Sequence, residues 1–121
     1  MILSRYVGAA LALFCAACAA PAAPDARPQM RASLQTEAIE RGRVLATRTC
    51  ASCHAIGRSD ASRLPDAPPF RELGRRYPLD TLEASFAEGL VTSHPAMPRF
   101  VFRAGEIDDL IAYLESLKAN Q

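Results

Sequence analysis

The sequence contains one C-x-x-C-H motif, at residues 50–54. This spacing is typical of the covalent attachment of a c-type haem. Cys50 and Cys53 lie three positions apart on one side of a helical turn, where each thiol can bond to one of the two haem vinyl groups. His54 follows beneath the porphyrin, where a ring nitrogen can bind the iron as an axial ligand. The motif therefore predicts one covalently bound haem c, attached through Cys50 and Cys53 and ligated by His54.

Other sites that use paired cysteines fit this sequence less well. A thioredoxin-like C-x-x-C follows a strand in a βαβ pattern, and no nearby segment alternates like a strand. A structural zinc site uses four Cys or His ligands, whereas the remaining cysteines, Cys15 and Cys18, lie in an N-terminal export signal. A disulfide between Cys50 and Cys53 would leave His54 without a role.

The N-terminal residues have the pattern of an export signal. Arg5 precedes an uncharged apolar stretch over residues 6–17, which is too short to span a membrane. Small residues favour cleavage after Ala19, so that residues 1–19 are the signal peptide. The alternative is a lipoprotein signal that ends before Cys18, whose lipid would tether the chain to a membrane. Either route leads out of the cytoplasm, and we expect a periplasmic protein.

The rest of the chain divides into a linker and one small domain. Residues 20–34 are rich in proline and alanine, lack apolar periodicity and are predicted to be a flexible linker. Residues 35–121 are predicted to be a single domain, and a chain this short buries little apolar surface unless a cofactor fills part of its core. The 14 basic and 13 acidic residues form no run of like charge, so we do not expect the protein to bind nucleic acid. We expect a monomer.

The apolar spacing predicts an all-α fold. Helices are expected over residues 36–49, 70–76, 80–88 and 106–117. The last of these has a complete apolar stripe, formed by Ile107, Leu110, Ile111, Leu114 and Leu117. Loops rich in proline and glycine separate the helices.

Met97 is the candidate for the second axial ligand of the iron. It lies in a loop between two helices, with Pro95 and Pro98 beside it to stiffen the chain. A methionine in a loop can also be a simple apolar residue, and two other residues compete for the ligand role. His94 would give a haem of lower potential, and Met30 lies in the predicted linker. Methionine on the iron raises the reduction potential.

Taken together, these residues resemble the small monohaem cytochromes c of class I, the mitochondrial-like class, in a bacterial exported form. The resemblance covers residues 37–117 and is carried by residues 42–46, 50–54, 67–70, 97–98 and 106–117. It implies a cytochrome c fold, in which three to five helices surround one covalently bound haem and the first and last helices cross. It also implies that Gly42 packs against Tyr113, and that the carbonyl group of Pro68 accepts a hydrogen bond from His54.

The chain departs from this family in having no tryptophan to hold the buried haem propionate. Our hypothesis is that Arg75 or Arg76 does so together with Tyr77, because arginine forms charge-assisted bonds to carboxylates. The alternative is that both arginines are solvated. Lys118 is the only lysine, so a docking surface for partners would consist of arginine or apolar residues.

The resemblance and the motif together predict a periplasmic one-electron carrier with His54 and Met97 as axial ligands. Its partners would be redox proteins that donate and accept electrons. One alternative is a haem c subunit of a dehydrogenase or oxidase complex, and another is a sensor or peroxidase-like protein whose iron site is open because Met97 does not bind. The sequence offers no paired carboxylates, nucleophile–base set or phosphate loop, so we do not expect an enzyme.

Overall fold

The computed structural model describes residues 25–89 and 96–118. Within them the chain forms four α-helices and no strand: α1 (Ala26–Thr49), α2 (Phe70–Arg76), α3 (Leu79–Ala87) and α4 (Ala104–Lys118). The all-α prediction is therefore confirmed for this part of the chain. None of these helices is both long and apolar enough to cross a membrane.

Helix α1 begins ten residues before the predicted start, and this corrects the prediction of a linker without regular structure for residues 26–34. The side chain of Asp25 accepts a hydrogen bond of 3.1 Å from the backbone N–H of Arg27 and so caps the helix. Pro28 is tolerated because it lies in the first turn, where backbone N–H groups have no partner inside the helix. The remaining linker residues, 20–24, and the predicted export signal lie outside the described residues.

Helices α1 and α4 pack closely through Gly42. A Cβ atom added at Gly42 would overlap the backbone oxygen of Asp109 and lie 2.9 Å from the Cβ of Tyr113. Glycine is therefore required at this point of closest approach, and its neighbour is the one that the resemblance implied. Arg41 donates two hydrogen bonds of 2.8 Å to the Asp109 carboxylate beside this contact.

The core lies between α4 and the other three helices, all of which α4 contacts. Leu110, Leu114 and Leu117 are at most 2 % exposed and form its centre. The hydroxyl group of Tyr113 donates a hydrogen bond of 2.7 Å to the carbonyl oxygen of Ile56. This bond joins α4 to the loop that follows the C-x-x-C-H motif and so positions the motif against the core.

Candidate haem site

The predicted haem residues meet at one cavity, although they are distant in sequence. The cavity has a volume of about 540 Å³. Its lining includes every predicted attachment and ligand residue: Cys50, Cys53, His54, Pro68 and Met97. Volumes of this size are typical of sites for cofactors and other small molecules.

The cysteines lie in a tight turn that continues from the end of α1. The backbone N–H of Cys50 donates to the carbonyl oxygen of Ala46 over 2.8 Å, and the carbonyl oxygen of Cys50 accepts from Cys53 and His54 over 3.1 and 2.9 Å. Both thiols are free. Burial, with a smaller contribution from Cys53, raises the pKa of the Cys50 thiol to about 11. Cys50 is therefore a neutral thiol near pH 7.

The imidazole of His54 is oriented by one hydrogen bond. Its Nδ1 lies 2.8 Å from the carbonyl oxygen of Pro68. Because a carbonyl oxygen only accepts hydrogen bonds, Nδ1 carries a proton, and in the neutral ring Nε2 then keeps its lone pair. The ring also makes an edge contact with Phe70, with ring centroids 5.6 Å apart. The His54 side chain is thus held in the tautomer that leaves Nε2 available to a metal.

Met97 is half-buried and lines the same cavity as His54. Phe100 and Phe102 line it as well, with their rings stacked and their centroids 5.7 Å apart. Of the two rival ligands, Met30 is 62 % exposed on α1 and is absent from the cavity lining. His94 lies outside the described residues.

The arginine hypothesis for the haem propionate gains no support from the cavity. Arg75 and Arg76 are exposed and neither lines the cavity. The guanidinium of Arg76 instead forms an ion pair with the carboxylate of Glu72 on α2. Tyr77, the third residue of that hypothesis, does line the cavity and is 48 % exposed.

Thr81 and Ser85 also line the cavity, and sequence reasoning missed both. They are one turn apart on α3, directly beside the buried apolar pair Leu82 and Phe86. Their positions in the sequence were a usable signal. Thr81 directly precedes Leu82 and Ser85 directly precedes Phe86, so both hydroxyl groups lie at the edge of the buried face of α3. Tyr77 precedes α3 and extends the same polar edge.

The residues present fit a covalently bound haem. The cavity combines two free thiols at the attachment spacing, an oriented imidazole and a thioether. Its walls include buried apolar side chains, notably Phe70, Leu82, Phe86 and Leu110. An apolar wall suits the porphyrin, and the hydroxyl groups at its edge suit the two carboxylates that the porphyrin carries.

Comparison with known proteins agrees with this geometry. The model of the cytochrome c family matches residues 39–118. Cytochrome c-552 of Bradyrhizobium diazoefficiens is 36% identical over 77 residues, which cover 64% of this chain and 72% of that protein. No solved structure gives a significant match. The all-α fold, the C-x-x-C-H spacing and these matches show that the chain belongs to the cytochrome c family, as a small class I monohaem protein that binds covalently attached haem c.

Proposed function

We propose that this protein is an exported one-electron carrier whose haem iron has His54 and Met97 as axial ligands. The observation that supports this most is the single cavity shared by Cys50, Cys53, His54 and Met97. A bound haem c supplies reversible one-electron chemistry at its iron. We assign no catalytic reaction to the chain.

His54 is the proximal ligand in this proposal, and Pro68 is its positioning residue. The hydrogen bond from Nδ1 to the Pro68 carbonyl holds the ring orientation. Such a bond also makes the other ring nitrogen a stronger electron donor. Pro68 thus influences the reduction potential without touching the iron.

Met97 is the second axial ligand in this proposal. Its position in the cavity lining and the stacked Phe100 and Phe102 nearby support this role. In this proposal the aromatic pair would limit the access of water to that side of the cavity, and Phe102 makes an edge contact with Phe86 at a centroid distance of 5.7 Å. If His54 and Met97 both bound the iron, they would leave no free site on it for oxygen or peroxide.

Tyr77 and Thr81 are the residues that we propose for the haem carboxylates. Both side chains line the cavity, and neither hydroxyl group donates a hydrogen bond to another described residue. Ser85 is less available, because its hydroxyl donates to the carbonyl oxygen of Thr81 over 2.8 Å. Two free hydroxyl donors at the edge of an apolar wall can bind carboxylate oxygens that face solvent.

Electron exchange in this proposal takes place at the exposed edge of the cavity. The exposed lining residues are mostly small or uncharged: Ser52, Asp66, Tyr77, Thr81, Ala96 and Pro98. This surface fits redox proteins that dock through apolar and neutral polar groups. The N-terminal pattern supports function in the periplasm, with a lipid on Cys18 as the alternative to release of a monomeric carrier.

The ferric visible spectrum tests the ligand assignment. We expect the weak far-red band of a sulfur-to-iron bond in the natural protein, its loss in Met97→Ala, and its retention in the control variant Met30→Ala. A high-spin ferric protein that takes up cyanide at once would instead support the sensor or peroxidase-like alternative. Stoichiometric co-purification with a dehydrogenase or oxidase would identify a complex subunit.

A further inference from the structure

The first half of α1 extends beyond the packed domain. All side chains of residues 26–37 are exposed, and the buried residues of α1 begin only at Gly42. The match to the cytochrome c family begins at residue 39, so this half of the helix is an addition to the family domain. A short helix without tertiary contacts is only marginally stable in water, and a surface that binds it would stabilise it.

Four residues of this segment form a continuous face, here called the N-terminal patch: Arg27, Met30, Arg31 and Leu34. Each lies three or four positions from its neighbours in the set, which makes them adjacent on the helix surface. Met30 and Leu34 are 62% and 57% exposed, although both are large and apolar. The N-terminal patch thus combines apolar and basic side chains on one exposed face.

The charge of the N-terminal patch is positive. Arg31 has no acidic partner among the described residues, and Arg27 has only a loose ion pair of 3.6 Å with the exposed Asp25. The next acidic residue along α1, Glu37, is 3.9 Å from the guanidinium of Arg41, which also binds Asp109 on α4. Arg31 is therefore available to bind anions, and Arg27 is held only by its loose ion pair with Asp25.

We propose that the N-terminal patch binds the surface of a membrane that contains anionic phospholipids. Met30 and Leu34 would enter the boundary between headgroups and acyl chains, and the guanidinium groups of Arg27 and Arg31 would bind lipid phosphates. A short amphipathic helix surface alone binds a membrane reversibly, and a second membrane-binding group makes the attachment stable. The predicted lipid on Cys18, a few residues before α1, would be that second element.

The arrangement favours a membrane over another copy of this chain. Association of two N-terminal patches would bring the arginines of both copies together, whereas an anionic bilayer neutralises them. The patch also lies close to the predicted export signal, which brings the chain to a membrane during export, and a lipid on Cys18 would keep it there. The proposal does not depend on the haem ligands.

Sedimentation with lipid vesicles tests the proposal. The protein is expressed with Cys18→Ser so that no lipid is attached, and mass spectrometry of the purified holoprotein verifies that residues 1–19 are absent. The haem absorbance in the pellet measures the bound fraction. We expect binding to vesicles of phosphatidylcholine with phosphatidylglycerol, little binding to phosphatidylcholine alone, and release as the salt concentration rises.

Single variants separate the charged and apolar contributions. Arg31→Gln should lower the partition constant about fivefold, and Leu34→Ser about tenfold. Arg48→Gln and Val44→Ser are matched controls, because both residues are exposed on the other half of α1. The controls should change partitioning less than about twofold. Circular dichroism checks that helix content and the midpoint of thermal unfolding are retained.

Three results would overturn the proposal. The first is equal binding, or no binding, to the two kinds of vesicle. The second is an equal loss of binding in the matched controls. The third is a dimer in size-exclusion chromatography that Leu34→Ser converts to a monomer while vesicle binding is unchanged, which would make the patch an interface between copies of the chain.

Discussion

The Nδ1 atom of His54 and the carbonyl oxygen of Pro68 lie 2.8 Å apart, although 13 residues of a loop separate them in the sequence. Its two ends are paired in the backbone: Leu64 donates to the carbonyl oxygen of Cys53 over 3.0 Å, and Phe70 donates to that of Ala55 over 2.9 Å. The imidazole is therefore oriented by a loop that is itself anchored on both sides of the motif.

Pro68→Ala should raise the reduction potential. Alanine keeps the carbonyl group but frees the φ angle that proline restricts, so the bond to His54 becomes looser and its Nε2 becomes a weaker donor to the ferric iron. We expect a rise of about 20–60 mV, which corresponds to roughly 0.5–1.4 kcal/mol for one electron. Spectroelectrochemistry measures it, with Pro65→Ala in the same loop as control. Equal potentials for natural protein and Pro68→Ala would contradict this role.

Gly42→Ala should destabilise the protein strongly. The added methyl group overlaps the backbone of Asp109, so α1 and α4 must separate. Overpacking of this kind costs about 1–3 kcal/mol, measured as the free energy of unfolding of the holoprotein in urea. Gly105→Ala is the matched control, because nothing lies within 4 Å of its added Cβ. The control should leave stability unchanged or raise it by up to about 1 kcal/mol. Similar losses in both variants would disprove the close packing at Gly42.

Tyr77→Phe and Thr81→Val should each lower the reduction potential. Both remove a neutral donor from the haem carboxylates, whose negative charge then favours the ferric state more strongly. The expected shift is about 20–60 mV for each variant. Arg75→Gln and Arg76→Gln, whose side chains do not line the cavity, should shift it by less than about 15 mV. A larger effect of either arginine would restore the hypothesis that arginine holds the propionate.

Tyr113 should make the protein sensitive to alkaline pH. Burial raises the pKa of its hydroxyl above the usual value, with smaller opposing effects from Arg43 and others. The folded state therefore binds the proton more tightly than the unfolded state, and the free energy of unfolding falls as the pH rises above about 10. Below about pH 10 the protonated Tyr113 hydroxyl makes its full contribution to the free energy of unfolding.

Tyr113→Phe tests this pH dependence. The variant lacks the hydrogen bond to Ile56 and should lose about 0.5–1.5 kcal/mol of stability at neutral pH. Its free energy of unfolding should fall less steeply above pH ~10 than that of the natural protein. Parallel curves for the two proteins over this range would show that another group titrates.

Local sequence was enough to predict some helices. The bounds of α2 agree with the prediction because Pro69 and Pro78 flank this short helix closely. Helix α1 shows where local reasoning failed. Its proline and alanine content indicated a linker, but the cap at Asp25 and the position of Pro28 in the first turn allow a helix there. Thr81 and Ser85 were missed because the prediction for α3 considered only its apolar face, although each of the two directly precedes a buried residue, Leu82 or Phe86.

The local sequence was enough to predict the attachment chemistry, because Cys50, Cys53 and His54 occupy one turn whose geometry depends only on neighbouring residues. Family resemblance added Gly42 and Pro68 as expectations. That Pro68 and Met97 line the same cavity as His54, and that the arginines of α2 do not, follows from the packing of the folded chain. These relations depend on the closed loop after the motif and on the packing of α4 against α1, α2 and α3. No local pattern encodes such contacts, because they form between segments that meet only when the core is assembled.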